Sequence, residues 1–178
     1  MRTLAFHEAI PGHHLQNALN LENEELSLYR RFGYGTSAFS EGWALYAERL
    51  SLEIGLANNP YDELGVLQSE LFRAVRLVVD TGIHFKRWTR EDAMDYMKKV
   101  TGMSDTEVTS EIERYIVWPG QACSYKVGML KLLQLREKAQ NELGDKYDIR
   151  DFHAVVLDHG EPPLFIVEEL VNQMIKQK

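Results

Sequence analysis

The run His7-Glu8-Ala9-Ile10-Pro11-Gly12-His13-His14 gathers the residue types of a zinc hydrolase into one short stretch. Such a site needs neutral imidazoles or carboxylates as ligands, an open coordination position for water, and a general base beside it. The common helical solution is His-Glu-x-x-His, in which histidines four apart share a face and the glutamate lies near the water. Here the position four after His7 is Pro11, which binds no metal. On a regular helix His13 is rotated roughly 120° from His7, and His14 returns to the same face about 10 Å farther along the axis. Pro11 removes a helix hydrogen bond and Gly12 admits unusual dihedrals, so the spacing predicts a break that returns a histidine toward His7. His13 is the first choice for the second ligand and His14 the alternative.

A third ligand is still required. Ser40-Glu41-Gly42-Trp43-Ala44-Leu45-Tyr46-Ala47-Glu48 carries two acids on one helical face, Glu41 and Glu48. Zinc peptidases of the glutamate-ligand type take their third ligand from a following helix, and Glu41 fits that order. Gly42 and Ala44 beside it permit a close helix approach. Glu48 is expected either behind the ligands or in a surface ion pair. Arg76, Asp80 and His84 form a polar stripe on an otherwise apolar helix, costly to bury unless the three satisfy one another. They read either as a solvent-facing stripe or as groups in which Asp80 or His84 orients a ligand imidazole or contacts substrate. Tyr125, with Tyr115 as second choice, is the candidate to donate a hydroxyl to a developing oxyanion. His153 and His159 sit near the Pro162-Pro163 turn, with a structural role expected for His153. Cys123 has no histidine near it in sequence and reads as a small buried filler.

The elements that must position these groups are helical throughout. Apolar spacing predicts helices over about residues 3–24, 37–55 and 64–86. Asn58-Asn59-Pro60 is a turn, and Gly33 to Ser37 reads as a loop. Thr89 is a plausible N-cap with acids in the first turn after it, and Ser104-Asp-Thr-Glu107 is a capping-box pattern. That second helix should stop before Pro119-Gly120, and another should run from Gln121 to Leu143, ending at Gly144. Short helices near 151–157 and 164–176 close the chain. No segment alternates with a period of two, so the fold class is all-α, a single helical domain over 1–178 of about six to eight helices.

Composition narrows the class of partner. The chain has 178 residues, 44% hydrophobic and 26% charged, enough apolar material for a core. Its net charge of −7 argues against nucleic acid and anionic membranes, which need clustered Lys and Arg. One cysteine makes neither an internal disulfide nor a thiolate cluster. The N-terminus lacks the regions of a signal peptide, so the chain as written reads as cytoplasmic. Domains rarely begin on their chemistry, so a metal motif at residue 7 suggests the C-terminal portion of a longer architecture.

Several stretches together resemble a known family. His7-Glu-Ala-Ile-Pro-Gly-His-His-Leu-Gln16, Glu41-Gly-Trp-Ala-Leu-Tyr-Ala-Glu48 and Arg76-Leu-Val-Val-Asp-Thr-Gly-Ile-His84 resemble the bacterial "domain of unknown function 885" family. So do Tyr115 through Tyr125 and Gly160-Glu-Pro-Pro-Leu164. That family is grouped with zinc metallopeptidases of the gluzincin kind, and its members are usually much longer and in some cases exported. The resemblance implies a helical catalytic half in which His7, His13 and Glu41 hold Zn²⁺, Glu8 is the general base and Tyr125, with His84, stabilises the tetrahedral intermediate. The expected substrate is a peptide. Apolar surface normally covered by an N-terminal portion would favour a homo-oligomer. The alternative is a catalytically incomplete helical fragment that binds metal or a partner without hydrolysis. A helical di-iron protein is disfavoured, because it needs Glu-x-x-His motifs and no glutamate here has histidine three residues later.

Overall fold

A computed structural model describes residues 2–32 and 35–178. Among them the chain is all-α, with no strand. The helices are α1 (Arg2–Glu8), α2 (His13–Glu22), α3 (Leu28–Phe32), α4 (Ser37–Glu53), α5 (Pro60–His84), α6 (Arg90–Thr101), α7 (Asp105–Val117), α8 (Gln121–Leu143), α9 (Ile149–Leu157) and α10 (Leu164–Gln177). A 3₁₀ turn at Gly144–Lys146 follows α8. The eight segments read from sequence become ten helices for two local reasons. The first splits at Ala9–Gly12 into α1 and α2, and α3 is a single short turn whose five residues carry no usable periodicity. Of the loop expected at Gly33 to Ser37, Gly33 and Tyr34 lie outside the described residues; Gly35 and Thr36 are irregular and Ser37 opens α4.

Helix starts follow their capping chemistry. The Asn59 side chain accepts from the amides of Tyr61 and Asp62, with Pro60 at the first helical position. Thr89 pairs reciprocally with Asp92, and Ser104 with Glu107, so both capping boxes form. Gly102 closes α6 in the left-handed conformation that a side chain would resist.

Two apolar clusters result. One packs α4 and α8 against α9 and α10 around Phe39, Trp43, Met129, Phe152 and Val167. The other packs α5 against α6 and α7 around Val79, Met97, Val108 and Ile112. Helix α8 serves both, through Met129 and Leu132 on one side and Ala122 on the other. The apolar stripe Leu64, Leu67 and Leu71, which marks α5 in the sequence, stays exposed.

The closest helix approach is between α4 and α8. A Cβ on Gly42 would stand 2.5 Å from the Cα of Gly128, and one on Gly128 would stand 1.9 Å from the Ala38 carbonyl oxygen. These are backbone atoms, so nothing at the crossing can swing aside. Gly42→Ala should therefore destabilise the protein by about 1–3 kcal/mol through overpacking. Chemical denaturation would read that loss, and an unchanged midpoint would contradict the close crossing.

Candidate metal centre

The break at Pro11-Gly12 places the histidines. Helix α1 ends at Glu8, and the chain turns so tightly that a Cβ on Gly12 would lie 1.8 Å from the His7 carbonyl oxygen. Only a residue without a side chain fits there. The buried Trp43 indole donates to the Pro11 carbonyl at 2.9 Å, tying the turn to α4. Helix α2 then begins at His13, whose ring meets that of His7 edge to face with centroids 4.9 Å apart.

Glu41, at the second turn of α4, completes the group. Its Oε2 lies 3.5 Å from Nε2 of His7 and 3.3 Å from Nε2 of His13. One ligand atom from each of the three residues lies within 4.8 Å of the others. Ligand atoms about 2.1 Å from one ion at tetrahedral angles stand roughly 3.4 Å apart, so these separations suit a single Zn²⁺ with two imidazoles and a carboxylate. His14 points elsewhere; it is exposed and outside the cluster. Glu8, beside His7 at the end of α1, is exposed.

Glu48 stands behind His7. It is 1% exposed, and its Oε1 accepts from His7 Nδ1 at 2.7 Å, which leaves Nε2 to face Glu41. A carboxylate on the far nitrogen is the usual way a ligand imidazole is oriented and made more basic. Arg73 Nη2 lies 3.8 Å from the same oxygen, partly offsetting the buried charge. Burial opposes protonation of His7, but Glu41 and Glu48 outweigh it and raise its pKa above the ordinary value. Burial would likewise raise the Glu41 carboxyl, yet hydrogen bonds from His13 and His7 hold it down at about 2, with Tyr125 contributing. The cluster therefore favours positive charge placed between Glu41 and the histidines.

Tyr125 reaches this centre from α8. Its ring stacks on His7 with centroids 6.1 Å apart and an interplanar angle of 21°. Gln121 Nε2 donates to its hydroxyl oxygen at 3.4 Å, so the hydroxyl hydrogen is free to be given elsewhere.

The other candidates are occupied differently. Asp80 is buried and accepts from the Gly120 amide at 3.0 Å, holding the α7–α8 turn. His84 is exposed and its Nε2 donates to the Tyr115 carbonyl at 2.9 Å. The Tyr115 hydroxyl donates to Glu111 at 2.6 Å, and burial pushes its pKa up. None of these three touches a ligand histidine, so the expected orienting role of Asp80 and His84 falls to Glu48 instead. The stripe is not solvent-facing either, since Arg76 and Asp80 are 2% and 3% exposed. Cys123 is half-buried rather than buried, and burial together with the neighbouring Asp80 carboxylate raises its thiol to about 11. Sequence reading missed Arg73, Arg114 and Gln121. Arg73 carried a faint signal, three residues before Arg76 on the same stripe; Gln121 lies inside the Tyr115–Tyr125 stretch and Arg114 directly before it, but neither was given a role.

The family model described as "Bacterial protein of unknown function (DUF885)" matches residues 1–171. The chain belongs to this family. Two solved structures share the fold of this DUF885 chain. One, titled "putative lipoprotein" from Colwellia psychrerythraea, is 54% identical with a TM-score of 0.95 over 99% of this chain. The other, titled "putative lipoprotein of unknown function" from Shewanella oneidensis, is 31% identical with a TM-score of 0.88 over 96% of it. The DUF885 chain spans 30% and 31% of the length of those two proteins. No curated protein matches it. No helix among its described residues is long and apolar enough to cross a membrane.

His153 has the structural role expected of it. Its Nε2 accepts from the Tyr46 hydroxyl at 2.8 Å, and the Trp43 ring packs edge-on to it. Burial first, and Arg136 second, depress its pKa from 6.5 to about 4.

Two expectations follow for the DUF885 chain. Glu48→Gln keeps the shape but weakens the hold on His7, so zinc affinity should fall about 10- to 100-fold in a chelator competition titration. An unchanged affinity would remove Glu48 from the site. As pH falls, the unfolded chain takes up a proton at its ordinary His pKa of 6.5 while His153 in the fold resists until about 4. Its contribution is thus full above 6.5 and is lost as pH falls toward about 4. Urea midpoints should drop across that window, less steeply in His153→Gln; equal slopes would contradict the assignment.

Proposed function

We propose that the protein is a zinc-dependent hydrolase, most simply a peptidase, related in its chemistry to the gluzincin metallopeptidases. The observation that carries this reading is the convergence of His7, His13 and Glu41, with Glu48 fixing the far nitrogen of His7. His7, His13 and Glu41 would hold the ion. Bound Zn²⁺ supplies Lewis acidity and lowers the pKa of water to about 7. Glu8, next to His7 and open to solvent, takes a proton from water and passes it to the leaving amine. The Tyr125 hydroxyl donates to the carbonyl oxygen of the substrate as negative charge develops there. Phe39, Trp43 and Ala44, the neighbours of Glu41 along α4, are buried.

The description of both solved relatives as "putative lipoprotein", carried to this chain, supports an exported protein acting outside the cytoplasm. A second reading, metal binding without hydrolysis, draws on Glu8 itself. Its carboxylate has no hydrogen-bond partner among the described residues, so no protein group aims it.

Metal analysis of protein dialysed against zinc should find one Zn²⁺ per chain in wild type and none in His7→Ala. Wild-type protein that takes up no zinc would overturn the reading. Glu8→Gln should keep the metal and lose peptide hydrolysis. A wild type that binds zinc and cleaves nothing would establish the second reading.

A further inference from the structure

Beside Tyr125 one buried guanidinium lacks an ion-pair partner among the described residues. Arg76 is 2% exposed, yet no carboxylate lies within ion-pair distance of it among the described residues. Its Nε is buried without a partner, and its one hydrogen bond is a long one, Nη2 to Gln121 Oε1 at 3.5 Å. Its guanidinium instead lies over the Tyr125 ring, 4.3 Å from the centroid. Cation–π contact offsets only part of the cost of burying a charge. Arg73 approaches the same ring at 5.6 Å and has Glu48 to answer it at 3.8 Å.

Arg114 extends this group to the surface. Its side chain is 36% exposed, its Nη2 donates to Gln121 Oε1 at 2.8 Å, and its nearest carboxylate, Glu111, is 3.6 Å away. That carboxylate also accepts from the Tyr115 hydroxyl. Gln121 also donates to the Tyr125 hydroxyl, and the Tyr125 ring stacks on His7, so this chain of contacts links the exposed guanidinium to the candidate metal ligands. Three arginines therefore surround one tyrosine; Glu48 and Glu111 lie within ion-pair distance of Arg73 and Arg114, and Arg76 has no carboxylate within that distance among the described residues. A buried guanidinium without an ion-pair partner, beside a candidate metal centre, is unexpected in a chain of net charge −7. It is accounted for if the missing anion arrives with the substrate.

We infer that Arg114, backed by Arg76 and Gln121, is the hook for the free C-terminal carboxylate of a peptide, which makes the site one that removes residues from C-terminal ends. A guanidinium presents two parallel N–H groups matched to a carboxylate, which gives both energy and orientation. Every peptide carries such a group at one end, a short reach from its last scissile bond. Trp118, 57% exposed with its ring 6.0 Å from the Arg114 guanidinium, offers an apolar wall for the last side chain. Arg76 is a positioning residue, since it is closed to solvent and acts through Gln121 and the Tyr125 ring.

This inference rests on the peptidase reading, but its test needs neither metal nor turnover. Calorimetric titration of metal-free protein would compare N-acetyl-Gly-Phe as free acid, the same dipeptide as C-terminal amide, and N-acetyl-Asp-Phe-amide, whose only carboxylate is in a side chain. The free acid should bind about tenfold or more tighter than either amide. Arg114→Ala should abolish that preference and Arg114→Lys should retain part of it. Equal binding of acid and amide, a preference that survives Arg114→Ala, or tight binding of the blocked aspartyl peptide would each overturn the inference. Zinc uptake by the same wild-type preparation is read separately. Zinc without acid preference sinks only the carboxylate hook, and acid preference without zinc sinks only the metal reading.

Discussion

Backbone contact between Gly42 and Gly128 sets the spacing of the candidate site. Glu41 stands one residue before the first glycine, and Tyr125 nearly one turn before the second. With any side chain at the crossing, α4 and α8 would separate, and the ligand carboxylate and the tyrosine would part by the same amount. Trp43, next along α4, ties the Pro11 turn to the same helix. One tight crossing thus positions three of the four parts of the site: the turn that returns His13, the carboxylate between the histidines, and the hydroxyl beside them.

Buried charge shapes the remainder. Glu48 lies at the back of His7 with its second oxygen unpartnered, and Arg73 is its nearest cation. A carboxylate so placed is costly to a fold unless it does something for the groups in front of it. Here it orients the imidazole and makes it more basic, which is what a metal ligand requires. Stability and chemistry pull in opposite directions at this point, and the two apolar clusters flanking α8 supply the rigidity that holds the charged layer between them.

The structure corrects the sequence reading most where a side chain could face either way. Arg76, Asp80 and His84 share one stripe, and spacing alone does not say whether a stripe faces water, a ligand or a turn. In the fold, Asp80 and His84 serve the α7–α8 connection, through the Gly120 amide and the Tyr115 carbonyl. Glu48 shows the converse. The sequence left it either behind the ligands or in a surface ion pair, and burial puts it behind His7. Leu64, Leu67 and Leu71 mark the helix by their period, yet they stay exposed, because α6 and α7 pack against the C-terminal half of α5 around Val75 and Val79.

Local chemistry was legible in the sequence by itself. Helix starts at Thr89 and Ser104, the stop before Pro119-Gly120, and the break at Pro11-Gly12 depend on residues within a turn of one another, so their types and spacing suffice. The same holds for the inventory of possible ligands, because only a few residue types can bind zinc. Which of them meet was decided by tertiary structure alone. His13 rather than His14, Glu48 rather than Asp80, and the arginines around Tyr125 each depend on how α2, α4, α5 and α8 cross. Those crossings are set by close-packed contacts between residues far apart in the chain, and no local pattern encodes them.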